Sequence, residues 1–367
     1  MAHASETVAA VSRLDDLDKR LLNQIQQDFP LVAAPFAELG RRLGTDEADV
    51  MARLETLKRG HIVRQISAIF DTRRLGYKSS LVAAAYDPER VHEAAKIVNA
   101  HPGVSHNYER DHTFNLWYTI AVPPYQDLAA VVQRLHELSG ARSTRMLPTL
   151  RLFKIAVKLD MTGTQDPAAA ESEGAGKSHI PALERPLTAF EIACLRELQQ
   201  DIEIVPRPFA AMAARIGTTE AAVLEQARQF QADEVMRRFA AVLYHRKAGF
   251  GANGMSVWRV PEDRIAEYAA VMVRFNHVSH CYQRPVYPDW PYNLFAMTHG
   301  RSRADCQKIV DAISAQTGLT DYTVLFSTRE YKKVRVLFYT ADYDEWVARH
   351  MPEALSGAAP SVPQPAD

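Results

Sequence analysis

The fold is decided by residues 14–44, LDDLDKRLLNQIQQDFPLVAAPFAELGRRLG, because this stretch occurs twice in the chain. It aligns without a gap with residues 187–217, LTAFEIACLRELQQDIEIVPRPFAAMAARIG. The identical positions include Leu14, Gln26, Gln27, Asp28, Val32, Pro35, Phe36 and Gly44, which recur as Leu187, Gln199, Gln200, Asp201, Val205, Pro208, Phe209 and Gly217. The sequence therefore predicts a tandem duplication.

The repeat continues beyond these segments. Val104-Ser105-His106, Tyr108 and Arg110 recur as Val278-Ser279-His280, Tyr282 and Arg284. Asn115-Leu116 returns as Asn293-Leu294 after the insertion PDWP. Between the halves, residues 161–186 have the Gly, Ala, Ser and Pro bias of a flexible linker, and residues 346–367 are expected to form a flexible tail.

Each half divides into two domains. Apolar residues at helical spacing, Pro35 at a helix start and Gly44 at a helix end predict helix-turn-helix domains at residues 14–62 and 187–236. The rest of each half alternates strand and helix in the order β-α-β-β-α-β, with one closing strand around residues 150–158 in the first half. This order predicts ferredoxin-like domains at residues 63–160 and 237–345, and an α+β fold class.

The composition is that of an ordinary globular protein. Of 367 residues, 47% are apolar and 24% charged, and the formal net charge is -1, so the chain lacks the basic excess of most nucleic-acid-binding proteins. Cys194, Cys281 and Cys306 form no CxxC pair, which is typical of a reducing compartment. We find neither an export signal nor a membrane span, and we expect a cytoplasmic protein.

A helix-turn-helix followed by a ferredoxin-like unit resembles the Lrp/AsnC family of transcription regulators. In such proteins the start of the third helix faces the DNA. Here that start is residues 45–49, TDEAD, in the first copy and residues 218–222, TTEAA, in the second. Carboxylates would repel a phosphate backbone, so we expect no DNA partner, although Arg53, Lys58 and Arg59 leave weak binding open.

A row of polar side chains recurs in a strand of each half. Since alternate side chains share one face of a strand, His106, Tyr108 and Arg110 project together, and so do their counterparts His280, Tyr282 and Arg284. Arginine can clamp a carboxylate, and histidine can donate a proton near neutral pH. The alternative is a polar sheet face that is solvated or paired at an interface.

Two longer segments resemble siroheme decarboxylases. They are residues 101–120, HPGVSHNYERDHTFNLWYTI, with their echo at residues 276–297, and residues 237–258, RRFAAVLYHRKAGFGANGMSVW. The resemblance covers about residues 14–340 and implies non-oxidative removal of two acetate carboxyl groups from siroheme, giving 12,18-didecarboxysiroheme for haem d1 or haem synthesis. It implies no cofactor beyond the iron of the siroheme substrate.

The resemblance also implies roles for individual residues. His245, which aligns with Thr72 of the first half, would be the axial iron ligand, and this asymmetry favours one competent site. His280 or His106 would donate the proton, beside Tyr282 and Tyr108. The expected substrate-binding residues are Arg238, Arg284, Arg110, Arg237, Arg64, His101, Trp117 and Trp258.

Three questions stay open at this point. The halves are expected to pair within the chain around siroheme, and a homodimer or association with related subunits remains possible. A DNA-binding regulator is one rival function. A non-catalytic tetrapyrrole carrier or sensor is the other, and the residues alone do not separate it from an enzyme.

Overall fold

The structure, a computed structural model, describes residues 14–155, 181–243, 252–275, 277–300 and 302–355. The elements of the first half are α1 (Asp16–Gln27), α2 (Pro35–Leu43), α3 (Glu47–Arg59), β1 (Val63–Phe70), β2 (Lys78–Ala85), α4 (Val91–Asn99), β3 (Val104–Arg110), β4 (Leu116–Val122), α5 (Leu128–Ser139), β5 (Ser143–Leu147) and β6 (Arg151–Ile155). Those of the second half are α6 (Ala189–Leu198), α7 (Pro208–Arg215), α8 (Glu220–Ala232), β7 (Met236–Leu243), β8 (Ala252–Trp258), α9 (Ile265–Met272), β9 (Val278–Gln283), β10 (Leu294–Gly300), α10 (Arg303–Thr317), β11 (Tyr322–Lys333) and α11 (Ala341–His350). Across these ranges, no helix combines the length and the apolar character that a membrane crossing needs.

The helix boundaries follow from local chemistry. Asp15 caps α1 by accepting the backbone N–H of Asp18 at 2.7 Å, and the Asp18 side chain reaches back to the Asp15 N–H. Gly44 ends α2 in the left-handed conformation with φ of 76°, which a residue without Cβ adopts at no steric cost. The helix-turn-helix prediction is confirmed in both halves.

The two helix-turn-helix domains form one body. β1 and β7 pair antiparallel as a two-stranded ribbon, with Ile66 opposite Ala241 and Ala68 opposite Phe239. Apolar side chains from both halves, such as Leu54 and Phe230, pack around it in a single hydrophobic cluster. This shared core buries the apolar faces of both modules at once.

The remaining strands form a sheet that returns on itself. Its strand order is β5-β2-β4-β3-β11-β8-β10-β9-β6. The first part of β11 pairs with β8 of its own half, and the second part pairs with β3 of the other half. β5 and β6 are separated only by residues 148–150 and divide in the same way: β5 pairs with β2 of its own half, and β6 pairs with β9 of the other half. The single closing strand expected around residues 150–158 is therefore two short strands, because one pairs with the first half and the other pairs with the second.

Helices cover the outer face of this ring of strands. Tyr118 and Ile120 of β4 pack outward against α4 and α5, whereas Trp117 and Thr119, which alternate with them, face inward. Met272 and Val310 cover the second half in the same way. The ring thus has an apolar outside and an enclosed inside, and the predicted α+β duplication is confirmed.

The expected tail begins too early at residue 346. α11 extends to His350, and its Tyr343, Trp346 and Val347 are buried against the helices of the first half. Trp346 is 6% exposed and lies edge-on to the His101 ring, with 4.3 Å between centroids. Apolar burial, invisible in the polar flanking sequence, holds this segment in place.

We predict that Trp346→Ala destabilises the protein by about 3 kcal/mol or more, because it empties a buried aromatic site between the halves. The exposed Glu345→Ala change on the same helix is the matched control and should alter stability by less than about 0.5 kcal/mol. Urea denaturation followed by circular dichroism measures both. Equal midpoints for the two variants would show that α11 does not anchor the chain.

Candidate active site

One cavity of about 860 Å³ lies inside the ring of strands, between the two halves. Side chains from β3 and β4 line one side, and side chains from β9 and β10 line the other. We call it the central cavity. Its volume lies in the upper part of the range of roughly 300–1,000 Å³ that is typical of small-molecule sites.

The two polar rows predicted from the repeat meet in this cavity. His106, Tyr108 and Arg110 of β3 line it, and so do His280 and Tyr282 of β9 and Arg284 directly after it. In each row the imidazole stacks loosely on the phenol, with ring centroids 6.2 Å apart in the first half and 6.0 Å in the second. The structure therefore brings all six side chains together, rather than placing the rows on separate solvated faces.

Each row is anchored by the opposite half. Arg110 donates from Nη1 to the backbone oxygen of Leu325 at 2.7 Å, and Arg284 donates from Nη1 to the backbone oxygen of Leu147. Both guanidinium groups are buried, and burial lowers the pKa of each to about 10. Their Nε atoms have no hydrogen-bond partner, and neither forms an ion pair within the described residues. Two buried cations without a counterion create a strong attraction for an anionic ligand.

The histidines are held by the serines that precede them. His106 Nδ1 lies 2.9 Å from Ser105 Oγ, and His280 Nδ1 lies 2.7 Å from Ser279 Oγ. Burial lowers the pKa of His106, with Lys333 and Arg64 adding to the effect. Burial, followed by the neighbouring His299, lowers the pKa of His280 to about 4. Both imidazoles are therefore neutral at pH 7 while the cavity holds no anion.

The tyrosines stay protonated in the same surroundings. Burial and the nearby Glu330 raise the pKa of Tyr108 to about 12, and burial raises the pKa of Tyr282. Two neutral phenols can donate hydrogen bonds to a ligand without adding charge.

The cavity changes character from floor to rim. Trp117, Met255 and Phe295 belong to the apolar cluster that closes its floor. At the rim stand Arg303, Arg329 and Lys333, with Glu330 as the acidic member. Sequence reasoning missed the rim cations because it treated β11 as a strand of one half. β11 is 12 residues long, which is enough for it to pair with strands of both halves and to place these cations at the cavity.

Other predicted residues lie elsewhere. His101 and Trp258, both 0% exposed, are buried in apolar packing behind the sheet and do not line the cavity, so we reassign them to the core. Arg237 pairs with the buried carboxylate of Asp71 at 2.6 Å. Arg238 is exposed on the β1–β7 ribbon, outside the cavity.

Two further residues complete the predicted set. Arg64 is exposed, yet it lies close enough to His106 to lower the pKa of that imidazole. His245, expected as the iron ligand, lies outside the described residues, and its role stays a prediction.

Two of the three basic residues of the third helix, Arg53 and Lys58, are paired with carboxylates. Arg53 Nη1 lies 2.7 Å from Asp15 and 2.8 Å from Asp18, and its Nε lies 3.0 Å from Asp49. Lys58 lies 2.8 Å from Asp201 of the second half. These contacts hold the helix-turn-helix domains together and compete with any phosphate for the same cations.

Comparison with known proteins places this architecture in one family. A profile of the siroheme decarboxylase NirDL-like HTH domain matches residues 18–64 and 191–237. A profile of the AsnC-like ligand binding domain matches residues 74–154 and 247–332. A siroheme decarboxylase of Hydrogenobacter thermophilus is 42% identical over 90% of this chain and 97% of its own length. The chain belongs to the siroheme decarboxylase family.

Other members of the family are similar over the whole chain or over half of it. The siroheme decarboxylase NirDL subunit of Paracoccus denitrificans is 34% identical over 87% of this chain and 96% of its own length. The siroheme decarboxylase beta subunit of Methanosarcina barkeri is 43% identical over 40% of this chain and 96% of its own length. This family member is therefore a fused form of two subunit-sized halves, and it is an enzyme.

A solved structure supports the same placement. The siroheme decarboxylase NirDL in co-complex with an iron-uroporphyrin III analogue superposes with a TM-score of 0.75 at 36% identity, over 92% of this chain and 99% of its own. The predicted family and fold are confirmed.

We predict that His280 of the empty protein takes up a proton only near pH 4, well below the ordinary histidine value of about 6.5. Between these values the unfolded chain binds the proton more readily than the native one, so the contribution of His280 to stability is complete above about pH 6.5 and is lost as the pH falls. Histidine NMR titration measures the pKa. Urea unfolding at pH 4.5 and 6.5 tests the linkage, and His280→Gln should flatten the dependence. An unchanged slope would contradict the burial argument.

Proposed function

We propose that this chain is a carboxy-lyase that removes two acetate carboxyl groups from siroheme and yields 12,18-didecarboxysiroheme for haem d1 or haem synthesis. The observation that carries the proposal is the convergence of both His-Tyr-Arg rows on one cavity between the halves. Membership of the siroheme decarboxylase family supports it, as does the iron-uroporphyrin III analogue bound by a relative of the same fold.

The charges of the cavity suit a polycarboxylate. Its lining contains Arg110, Arg284, Arg303, Arg329 and Lys333 with the carboxylate of Glu330, and Arg303 is paired with Asp111 at 3.0 Å. Siroheme carries eight carboxylates, so several cations are needed to hold it. In this proposal Arg110 and Arg284 bind carboxylates deep in the cavity, where low solvent access strengthens each ion pair, and the rim cations bind those that remain near solvent.

The apolar floor supplies the second requirement. Trp117 and Phe295 are 1% and 2% exposed, and they keep water from the deepest part of the site. A reacting acetate that lies against these rings loses hydration, which disfavours the charged carboxylate relative to neutral carbon dioxide. Flat aromatic faces also suit packing against a macrocycle.

The proton comes from an imidazole. When the carbon–carbon bond to the carboxyl group breaks, its electron pair stays on the pyrrole-linked carbon, which takes one proton and becomes a methyl group. His106 and His280 are the candidates for this donation, and Tyr108 and Tyr282 orient the substrate beside them. Negative charge on the bound substrate favours the protonated form of each imidazole, so binding itself prepares the donor.

The remaining assignments follow from the same chemistry. The reaction is non-oxidative, so we propose no cofactor beyond the iron of the substrate. We propose His245 as the axial ligand of that iron. We also propose that the protein is located in the cytoplasm. A homodimer or a complex with related subunits remains a proposal as well, and no DNA partner is proposed.

The first experiment is anaerobic incubation of the purified protein with siroheme, followed by mass spectrometry of the extracted tetrapyrrole. We expect the loss of two carbon dioxide units. Unchanged mass with a bound absorption spectrum would identify a carrier and refute the enzyme proposal. Absence of any binding, together with a low-salt gel shift of specific DNA, would favour a regulator.

We predict that replacing the proton donor by alanine lowers kcat by about 100-fold or more, because general acid catalysis typically contributes that much. His106→Ala and His280→Ala are measured separately under saturating siroheme. The matched control is His136→Ala, which removes an imidazole bonded to a hydroxyl, Thr144 Oγ1 at 3.0 Å, outside the cavity. Full turnover in both cavity variants would refute the assignment of a histidine donor.

A further inference from the structure

The two His-Tyr-Arg rows differ in the residue that lies on the neighbouring strand, close to the serine and histidine. In the first half, Ala121 of β4 pairs with Ser79 of β2. At the equivalent place in the second half, His299 of β10 pairs with Asn253 of β8. The second half therefore has an imidazole at a position where the first half has a methyl group, and both His299 and Asn253 line the central cavity.

These residues form a continuous chain of hydrogen bonds. His280 Nδ1 lies 2.7 Å from Ser279 Oγ, Ser279 Oγ lies 2.5 Å from His299 Nε2, and His299 Nδ1 lies 2.8 Å from Asn253 Oδ1. This hydrogen-bond chain runs from the half-buried His280 to the exposed amide of Asn253. In the first half, the Ser105–His106 pair has only alanine at the position that corresponds to His299.

The donors and acceptors of this hydrogen-bond chain determine which nitrogen of each imidazole carries a proton. Asn253 Oδ1 can only accept, so His299 donates from Nδ1. When both imidazoles are neutral, Ser279 donates to His299 Nε2 and accepts from His280 Nδ1, which leaves His280 Nε2 without a proton. One added proton reverses both bonds: His299 donates to Ser279, Ser279 donates to His280 Nδ1, and His280 Nε2 carries a proton.

We propose, resting on the siroheme decarboxylase function above, that His299 is a positioning residue that stores the catalytic proton's charge and delivers it through Ser279 to His280, which makes His280 the donor. His299, bonded to the exposed Asn253, carries the positive charge, so His280, whose pKa burial lowers to about 4, does not have to carry it. This division is favourable because charge is less costly near solvent than in the interior.

The proton balance of one turnover is closed. His280 gives its Nε2 proton to the pyrrole-linked carbon as carbon dioxide leaves, and takes a proton at Nδ1 from Ser279. Ser279 takes one from His299 Nε2, so both imidazoles end neutral. A proton from solvent then restores the state in which His299 is charged and His280 Nε2 carries a proton.

Several neighbouring groups bear on this equilibrium. Burial and His277, from the turn before β9, lower the pKa of His299. The same cavity is lined by Arg284 directly after β9, Arg303 on α10, and Arg329, Glu330 and Lys333 on β11. The substrate's carboxylates oppose the cations among these groups and favour the protonated chain.

The test compares His299→Ala and His299→Gln with the unchanged enzyme and with His136→Ala. Alanine reproduces the natural Ala121 of the first half, and glutamine can hydrogen-bond to Ser279 without taking up a proton. We expect kcat to fall about 100-fold in both variants. The dissociation constant of siroheme, read from its absorption spectrum, should stay unchanged.

The pH profile of kcat separates a relay from a structural contact. Without His299 the charge must form on His280, where burial disfavours it, so the rate should begin to fall at a lower pH as the pH rises. Ser279→Ala, which interrupts the chain but keeps both imidazoles, should behave in the same way. Added imidazole should partly restore His299→Ala and leave His136→Ala unaffected.

Two results would overturn the relay. One is a wild-type kcat in His299→Gln, and the other is a lowered kcat whose pH profile is unchanged in all three chain variants. An unchanged enzyme that does not decarboxylate siroheme at all would instead refute the proposed function. The two failures are therefore distinguishable.

Discussion

The pairing of each half's closing strand with the other half is the constraint on which the rest depends. β11 leaves β8 and continues along β3, while β6 leaves its own half and pairs with β9. This exchange satisfies strand edges that would otherwise be open, and it closes the sheet into a ring. The central cavity exists only because the ring is closed, since its walls come from both halves.

The same pairing explains why buried arginines are tolerated. Arg110 and Arg284 each donate to a backbone oxygen of the opposite half, so both are held at the seam while their charge remains without an acidic partner in the described structure. A cation held in this way is costly until an anion arrives. Stability and ligand binding therefore draw on the same two side chains, and the apolar clusters outside the ring must offset that cost.

The sequence predicts the duplicated fold and the polar rows because both depend on local periodicity and on an internal repeat. His106 and His280 follow from alternation within one strand, which is a short-range property. Trp258 was misplaced because alternation does not show which face of the sheet is covered by helices. His101, in the connection between α4 and β3, was misplaced because its burial depends on α11 from the far end of the chain. Arg329, Lys333 and His299 were missed for a different reason: their place in the site depends on pairing between distant strands, and His299 has no counterpart in the repeat.

Carrying both halves on one chain changes how the site responds to concentration. Relatives include separate alpha and beta subunits, each matching about two fifths of this chain: 42% for an alpha subunit and 40% for a beta subunit. Where two molecules must meet to close a ring, mass action sets the fraction of complete sites. Here the seam forms within one molecule, at an effective concentration that dilution does not alter. Each chain that folds therefore assembles its own cavity, in a fixed one-to-one ratio of the two halves.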